Sequence, residues 1–232
     1  MTANLVLAGN DSDVINETLQ NYLKDQLSGG IMGVRGSREK TITVLMRIWQ
    51  RVPADLCVLK NDGLQLLQRL TKEEHIAVHW GMMLAVYPFW GSVATFVGRL
   101  LEIQEVVTTS QVVRRMKEQY GDRHTVERAT QRAMNSFELW GIIKPSDQKS
   151  SYILGDICSI GDPRLITWVI EALLNSMEND SAVLRDLLRS PTLFPLRLDY
   201  ISAEQLVAYS SSLDTLRHGL DEDMIILKHG AK

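Results

Sequence analysis

Apolar residues recur at helical spacing along most of this chain. Between Ser12 and Leu27 they fall at Val14, Ile15, Leu19, Tyr22, Leu23 and Leu27, which predicts one helix. Ile42, Leu45, Met46 and Trp49 give a second helix over Arg38 to Arg51, and Pro53 marks its end. Leu56 to Leu70 predicts one or two shorter helices, broken near Asn61-Asp62-Gly63. Thr71 and Glu74 have the spacing of a capping box, in which each side chain satisfies the other's free backbone N–H. A helix to about Val86 follows. Pro88 restarts the chain, and Trp90 to Val106 places Val93, Phe96, Val97, Leu100 and Ile103 inward. The first hundred residues thus predict an all-α bundle.

From Thr108 to Leu154 the pattern changes. Thr108 and Gln111 form a second capping box, and Val112, Val113, Met116 and Tyr120 point to a core. Gly121-Asp122 makes a turn. The next helix is predicted to bury Val126, Ala129, Ala133, Phe137 and Trp140, and Gly141 stops it. Ile142-Ile143 and Tyr152-Ile153-Leu154 read as short strands around a polar turn, Pro145 to Ser151. This order predicts a helix-turn-helix followed by a β-wing, the arrangement that presents a recognition helix to a DNA major groove.

Beyond the wing, Asp162-Pro163 reads as a helix start with Pro in the first helical position. Leu165, Ile166, Val169, Ile170, Leu173 and Leu174 form a strong apolar face. A shorter helix ends at Ser190-Pro191, and Leu193-Phe194-Pro195-Leu196 is expected to plug a core. Ser202 and Gln205 form a third capping box, and Met224 to Leu227 reads as a final strand. The expected fold is mainly α. An N-terminal helical bundle covers 1–105 and a winged helix-turn-helix with a small β-wing covers 106–158. A C-terminal helical region, 159–232, packs on the rest.

Composition narrows the function classes. The chain has 232 residues, 45% hydrophobic and 23% charged, enough apolar sequence for a real core. Its net charge of −3 is not that of a basic nucleic-acid binder, but the charge is unevenly spread. From Val106 to Lys149 there are 8 Lys/Arg against 5 Asp/Glu, whereas the rest has 17 against 23. The one positive segment is the one with the DNA-reading pattern. Cys57 and Cys158 are far apart in apolar sequence and are expected to be buried free thiols in a reducing compartment. No basic-then-apolar leader opens the chain, and no apolar run reaches the ~20 residues of a membrane helix. A soluble cytoplasmic protein is expected.

On the Thr125 to Trp140 helix, Arg128, Gln131, Arg132 and Asn135 stand at i, i+3, i+4 and i+7, one stripe opposite the core. Arg pairs with guanine O6 and N7, and Gln or Asn with adenine N6 and N7. Arg123, His124 and Thr125 sit at the helix N-terminus, where free N–H groups and the dipole attract phosphate. Arg114, Arg115 and Lys117 on the preceding helix, with Lys144 and Lys149 in the wing, are placed for flanking phosphates. Glu127 interrupts this basic side and would repel phosphate. A solvated face, or a winged helix that grips protein instead, remains open.

Enzymatic signals do not assemble. Gly29, Gly30, Gly33 and Gly36 form a flexible connection rather than a phosphate loop, since Glu39 stands where the Walker glycine before Lys40-Thr41 is required. His75 and His79 have zinc-binding spacing, but Ile76 replaces the Glu that a zincin needs. Asp221-Glu222-Asp223 reads as a solvated turn. No catalytic residues, metal site or cofactor are expected.

Four segments, taken together, resemble the small BrxA proteins of bacterial BREX phage-defence systems. They are GVRGSREKTITVLMRIWQR, MLAVYPFWGSVATFV, TVERATQRAMNSFELWGIIK and LLRSPTLFPLRL. The resemblance implies a small, non-enzymatic, largely helical protein that binds double-stranded DNA beside larger defence proteins. It carries over no catalytic residues, and Arg123, Arg128 and Arg132 remain the leading DNA-facing candidates. An adaptor for a protein partner and an autonomous transcription regulator are the alternatives.

Overall fold

A computed structural model describes residues 1–30, 36–218 and 222–228. Gly33 of the glycine-rich connection and Asp221 of the acidic run lie outside them. Among the described residues there are eleven α-helices and eight short strands, so the fold is mainly α. The chain divides into two compact units, Met1–Arg69 and Leu70–Lys232. The expected segment boundary at 105 falls inside the second of these.

The first unit holds α1 (Thr2–Leu7), α2 (Ser12–Tyr22), α3 (Ser37–Trp49) and α4 (Cys57–Leu67), the last preceded by a 3-10 turn at Ala54–Leu56. Asp11 caps α2, its carboxylate accepting from the Asp13 and Val14 N–H groups at 2.9 Å. Ile15, Leu19 and Leu23 of the α2 segment bury against Ile42 and Met46 of α3. Two expectations fail here. Helix α4 runs unbroken through Asn61-Asp62-Gly63 because Gly63 is buried and the apolar Leu59, Leu64, Leu66 and Leu67 keep the helix packed. Cys57, expected to be buried, opens α4 and is exposed, since its position is off that apolar face.

The second unit begins with α5 (His75–Val86) and α6 (Pro88–Ile103), which meet at 119°. Glu74 accepts from the Thr71 N–H at 3.1 Å and hydroxyl at 2.9 Å, closing the turn that leads into α5. No single helix among the described residues is long and apolar enough to cross a membrane. Strand β1 (Val107–Thr108), α7 (Thr109–Tyr120), α8 (His124–Leu139), β2 (Ile143–Pro145) and β3 (Ser151–Leu154) follow. Then come β4 (Cys158–Ile160), α9 (Pro163–Asn175), β5 (Ser181–Val183) and α10 (Leu184–Leu188). A 3-10 turn at Pro191–Leu193 leads to β6 (Leu196–Leu198), α11 (Ala203–Tyr209), β7 (Leu213–His218) and β8 (Glu222–Leu227).

The C-terminal part is less helical than its sequence pattern predicts. β4 pairs in parallel with β6, and β8 lies antiparallel between β5 and β7. Most of these strands have only three residues, too few for a period-2 pattern to register. Helix α9 is buried along nearly its whole length and anchors this part. The Leu193–Leu196 plug forms as expected. Trp80 donates its indole N–H to the Thr192 carbonyl at 3.1 Å, and the Thr95 and Thr192 hydroxyls are 2.7 Å apart.

An aromatic cluster centres the second unit. Trp80 lies 4.4 Å from Trp90, 5.3 Å from Phe137 and 5.5 Å from Phe194. Phe137 belongs to α8, so the cluster seats that helix on α5 and α6. Trp140, expected in the core, is instead 38% exposed at the rim of the cluster. It follows the last helical residue of α8, and the chain turns there before Ile142 and Ile143 re-enter the core.

Candidate functional site

Helices α7 and α8 are held by the parts the sequence marks out. The Thr108 hydroxyl accepts from the Gln111 N–H at 3.2 Å, while Gln111 Oε1 accepts from the Thr108 N–H at 2.8 Å. Val112 and Met116 are fully buried under α7. At its far end the Tyr120 hydroxyl meets Ser92 Oγ of α6 at 2.7 Å. Gly121 then turns the chain with φ of +89°, a conformation that side-chain-bearing residues rarely adopt.

Helix α8 buries Val126, Thr130, Ala133, Met134 and Phe137. Ala129 is only half-buried, so the inward face is turned slightly from the one read in the sequence. The buried Thr130 hydroxyl is satisfied because it donates to the Val126 carbonyl at 2.8 Å. The opposite stripe is as expected in exposure: Arg128, Gln131, Arg132 and Asn135 are all exposed. Over seven residues that stripe is about 10 Å long. No carboxylate among the described residues pairs with Arg128 or Arg132.

β1, β3 and β2 make one antiparallel sheet with β3 in the middle. Val107 faces Tyr152, and Lys144 faces Ile153. The β2–β3 turn is tied at its base, where the Thr109 N–H donates to the Ser150 carbonyl at 3.2 Å. Burial raises the Tyr152 phenol above its ordinary pKa.

The other sequence-predicted cations are more occupied. Arg114 and Arg115 both reach Glu118, at 3.8 and 3.1 Å. Lys144 holds Asp156 at 2.6 Å. Arg123 is the N-cap residue of α8, and its guanidinium turns back to donate to the Tyr120 carbonyl at 2.8 Å. His124, Thr125 and Lys149 are exposed at the start of α8 and in the β2–β3 turn. Lys117 stands 3.0 Å from both Asp122 and Glu127. A cleft of about 730 Å³ runs between α7 and α8, lined among others by Ser110, Lys117, Glu127, Gln131 and Ser150. Sequence reading placed Gln131 at this surface but not Ser110 or Ser150. Only the strand pairing, which a residue string does not display, brings Ser150 beside the start of α7.

Elsewhere, His79 is held neutral by burial, its pKa lowered to about 4. Among the described residues, no three His, Cys, Asp or Glu side chains gather to hold a metal ion. No protein-family model, curated protein or solved structure matches this chain.

Proposed function

We propose that this protein is a non-enzymatic binder of double-stranded DNA, with α8 as its recognition helix. The reading rests on the order α6, β1, α7, α8, β2, β3, with the sheet order β1-β3-β2, which is that of a winged helix. One observation carries it furthest: in the exposed Arg128, Gln131, Arg132, Asn135 stripe, neither arginine is paired with a carboxylate among the described residues. An Arg–carboxylate pair would have to be broken before the guanidinium met a base or a phosphate. Lys149 in the β2–β3 turn is placed to touch the flanking backbone. Partners in a bacterial phage-defence complex fit the segments that resemble BrxA proteins.

A winged helix of this size buries modest surface, so its affinity should be moderate and strongly salt-dependent. Mobility shift of a labelled random duplex by the whole chain tests the reading. Binding that weakens steeply with salt supports it, and the absence of a shift even at low salt removes it.

One feature favours a protein-binding adaptor instead. Leu139 is 86% exposed at the end of α8, and Ile157 is 40% exposed just beyond β3. The Asp156 N–H donates to the Gly141 carbonyl at 2.9 Å, which brings these two stretches together. An adaptor would ignore salt and lose its partner on Leu139→Ser.

A further inference from the structure

An ionic contact joins the two helices of the candidate interface. Lys117, in the last turn of α7, stands 3.0 Å from Asp122 Oδ1 in the connecting turn and 3.0 Å from Glu127 Oε2 in the first turn of α8. One ammonium therefore touches helix, turn and helix. Its hydrogen bond to Glu127, and then that to Asp122, holds its pKa above the ordinary lysine value.

Glu127 lines the same cleft as Gln131, one turn further along α8 and part of the exposed stripe. A bare carboxylate there would repel the phosphates that Arg128 and Arg132 approach. With Lys117 against it, the group of Lys117, Asp122 and Glu127 presents one net negative charge to an incoming polyanion instead of two.

We propose that Lys117 is a positioning residue of the nucleic-acid interface. It offsets one of the two carboxylate charges of Glu127 and Asp122 and ties the turn between the two helices, and it does so without touching DNA. This inference rests on the nucleic-acid reading. It separates from direct contact by one criterion. A phosphate contact made by Lys117 would be lost whatever stands at residue 127, whereas a masking role matters only while residue 127 is charged.

The test measures duplex affinity by fluorescence anisotropy for the wild type, Lys117→Met, Lys117→Arg, Glu127→Gln and the Lys117→Met/Glu127→Gln pair. Thermal unfolding checks that each is folded. Lys117→Met should weaken binding about fivefold, the scale of one unit charge at about 4 Å in a water-like medium. Lys117→Arg should keep wild-type affinity, and the double variant should recover it. A double variant as weak as Lys117→Met, or a Lys117→Met protein that binds like the wild type, overturns the proposal. Should Lys117→Met fail to fold, Glu127→Gln alone decides: unchanged or tighter binding supports masking, and weaker binding refutes it. If the wild type itself binds no duplex, the nucleic-acid reading has failed and the inference falls with it.

Discussion

Gly98 of α6 lies against Pro191, so close that a Cβ on residue 98 would stand 2.0 Å from the Pro191 carbonyl oxygen. The obstacle is backbone, which cannot swing aside as a side chain can. This contact lets the Pro191–Leu193 turn reach α6, where Thr192 meets Thr95 and accepts from Trp80. Gly98→Ala should therefore cost about 3 kcal/mol, at the upper end of overpacking effects. Urea unfolding would show it as a lowered midpoint, whereas an unchanged midpoint would mean that the turn yields freely.

His79 gives the second unit a dependence on acid. Its folded pKa of about 4 lies below the ordinary 6.5 because burial disfavours the imidazolium. Below pH 6.5 the unfolded chain takes up a proton that the folded one refuses. Stability attributable to His79 is thus complete above pH 6.5 and falls as pH drops toward 4, by up to about 3 kcal/mol. The comparison is unfolding free energy against pH for the wild type and His79→Leu. The variant should show a shallower loss in that window, and parallel curves would refute the assignment.

The capping box at the start of α7 has a local cost attached. Thr108→Ala removes the acceptor for the Gln111 N–H and should destabilise by about 1 kcal/mol, while Thr108→Ser should cost much less. Amide hydrogen exchange in the first turn of α7 would speed up in the Ala variant alone.

The helices of this protein were readable because their apolar stripes are long and their ends are marked. Asp11 and Asp162 cap α2 and α9, and Thr108–Gln111 and Ser202–Gln205 box α7 and α11. The polar stripe of α8 followed from the same periodicity. What stayed hidden depends on tertiary context. Gly63 looks like a helix breaker, yet it is buried inside α4. The parallel pairing of Cys158–Ile160 with Leu196–Leu198 joins segments far apart in sequence, and neither has a period to announce it. At the interface, residue types predicted which cations are exposed but not which are engaged. Lys144 and Asp156 are twelve residues apart and meet only once the strands pair. Glu127 looked like an obstacle to phosphate, and its pairing with Lys117 emerges only from the crossing of two helices.

The central claim is that the α8 stripe meets double-stranded DNA, with Arg128 and Arg132 reaching its phosphates as well as its base edges. It is tested most directly by the salt dependence of duplex binding for three proteins: the wild type, Arg128→Ala/Arg132→Ala, and Arg189→Ala/Arg197→Ala, which removes the same charge from exposed positions on other elements. Each phosphate contact contributes about 0.9 to the slope of log affinity against log salt. The account predicts that the α8 variant binds more weakly with a slope reduced by about 2, while the control variant matches the wild type. Equal losses in both variants, or none in either, would contradict it.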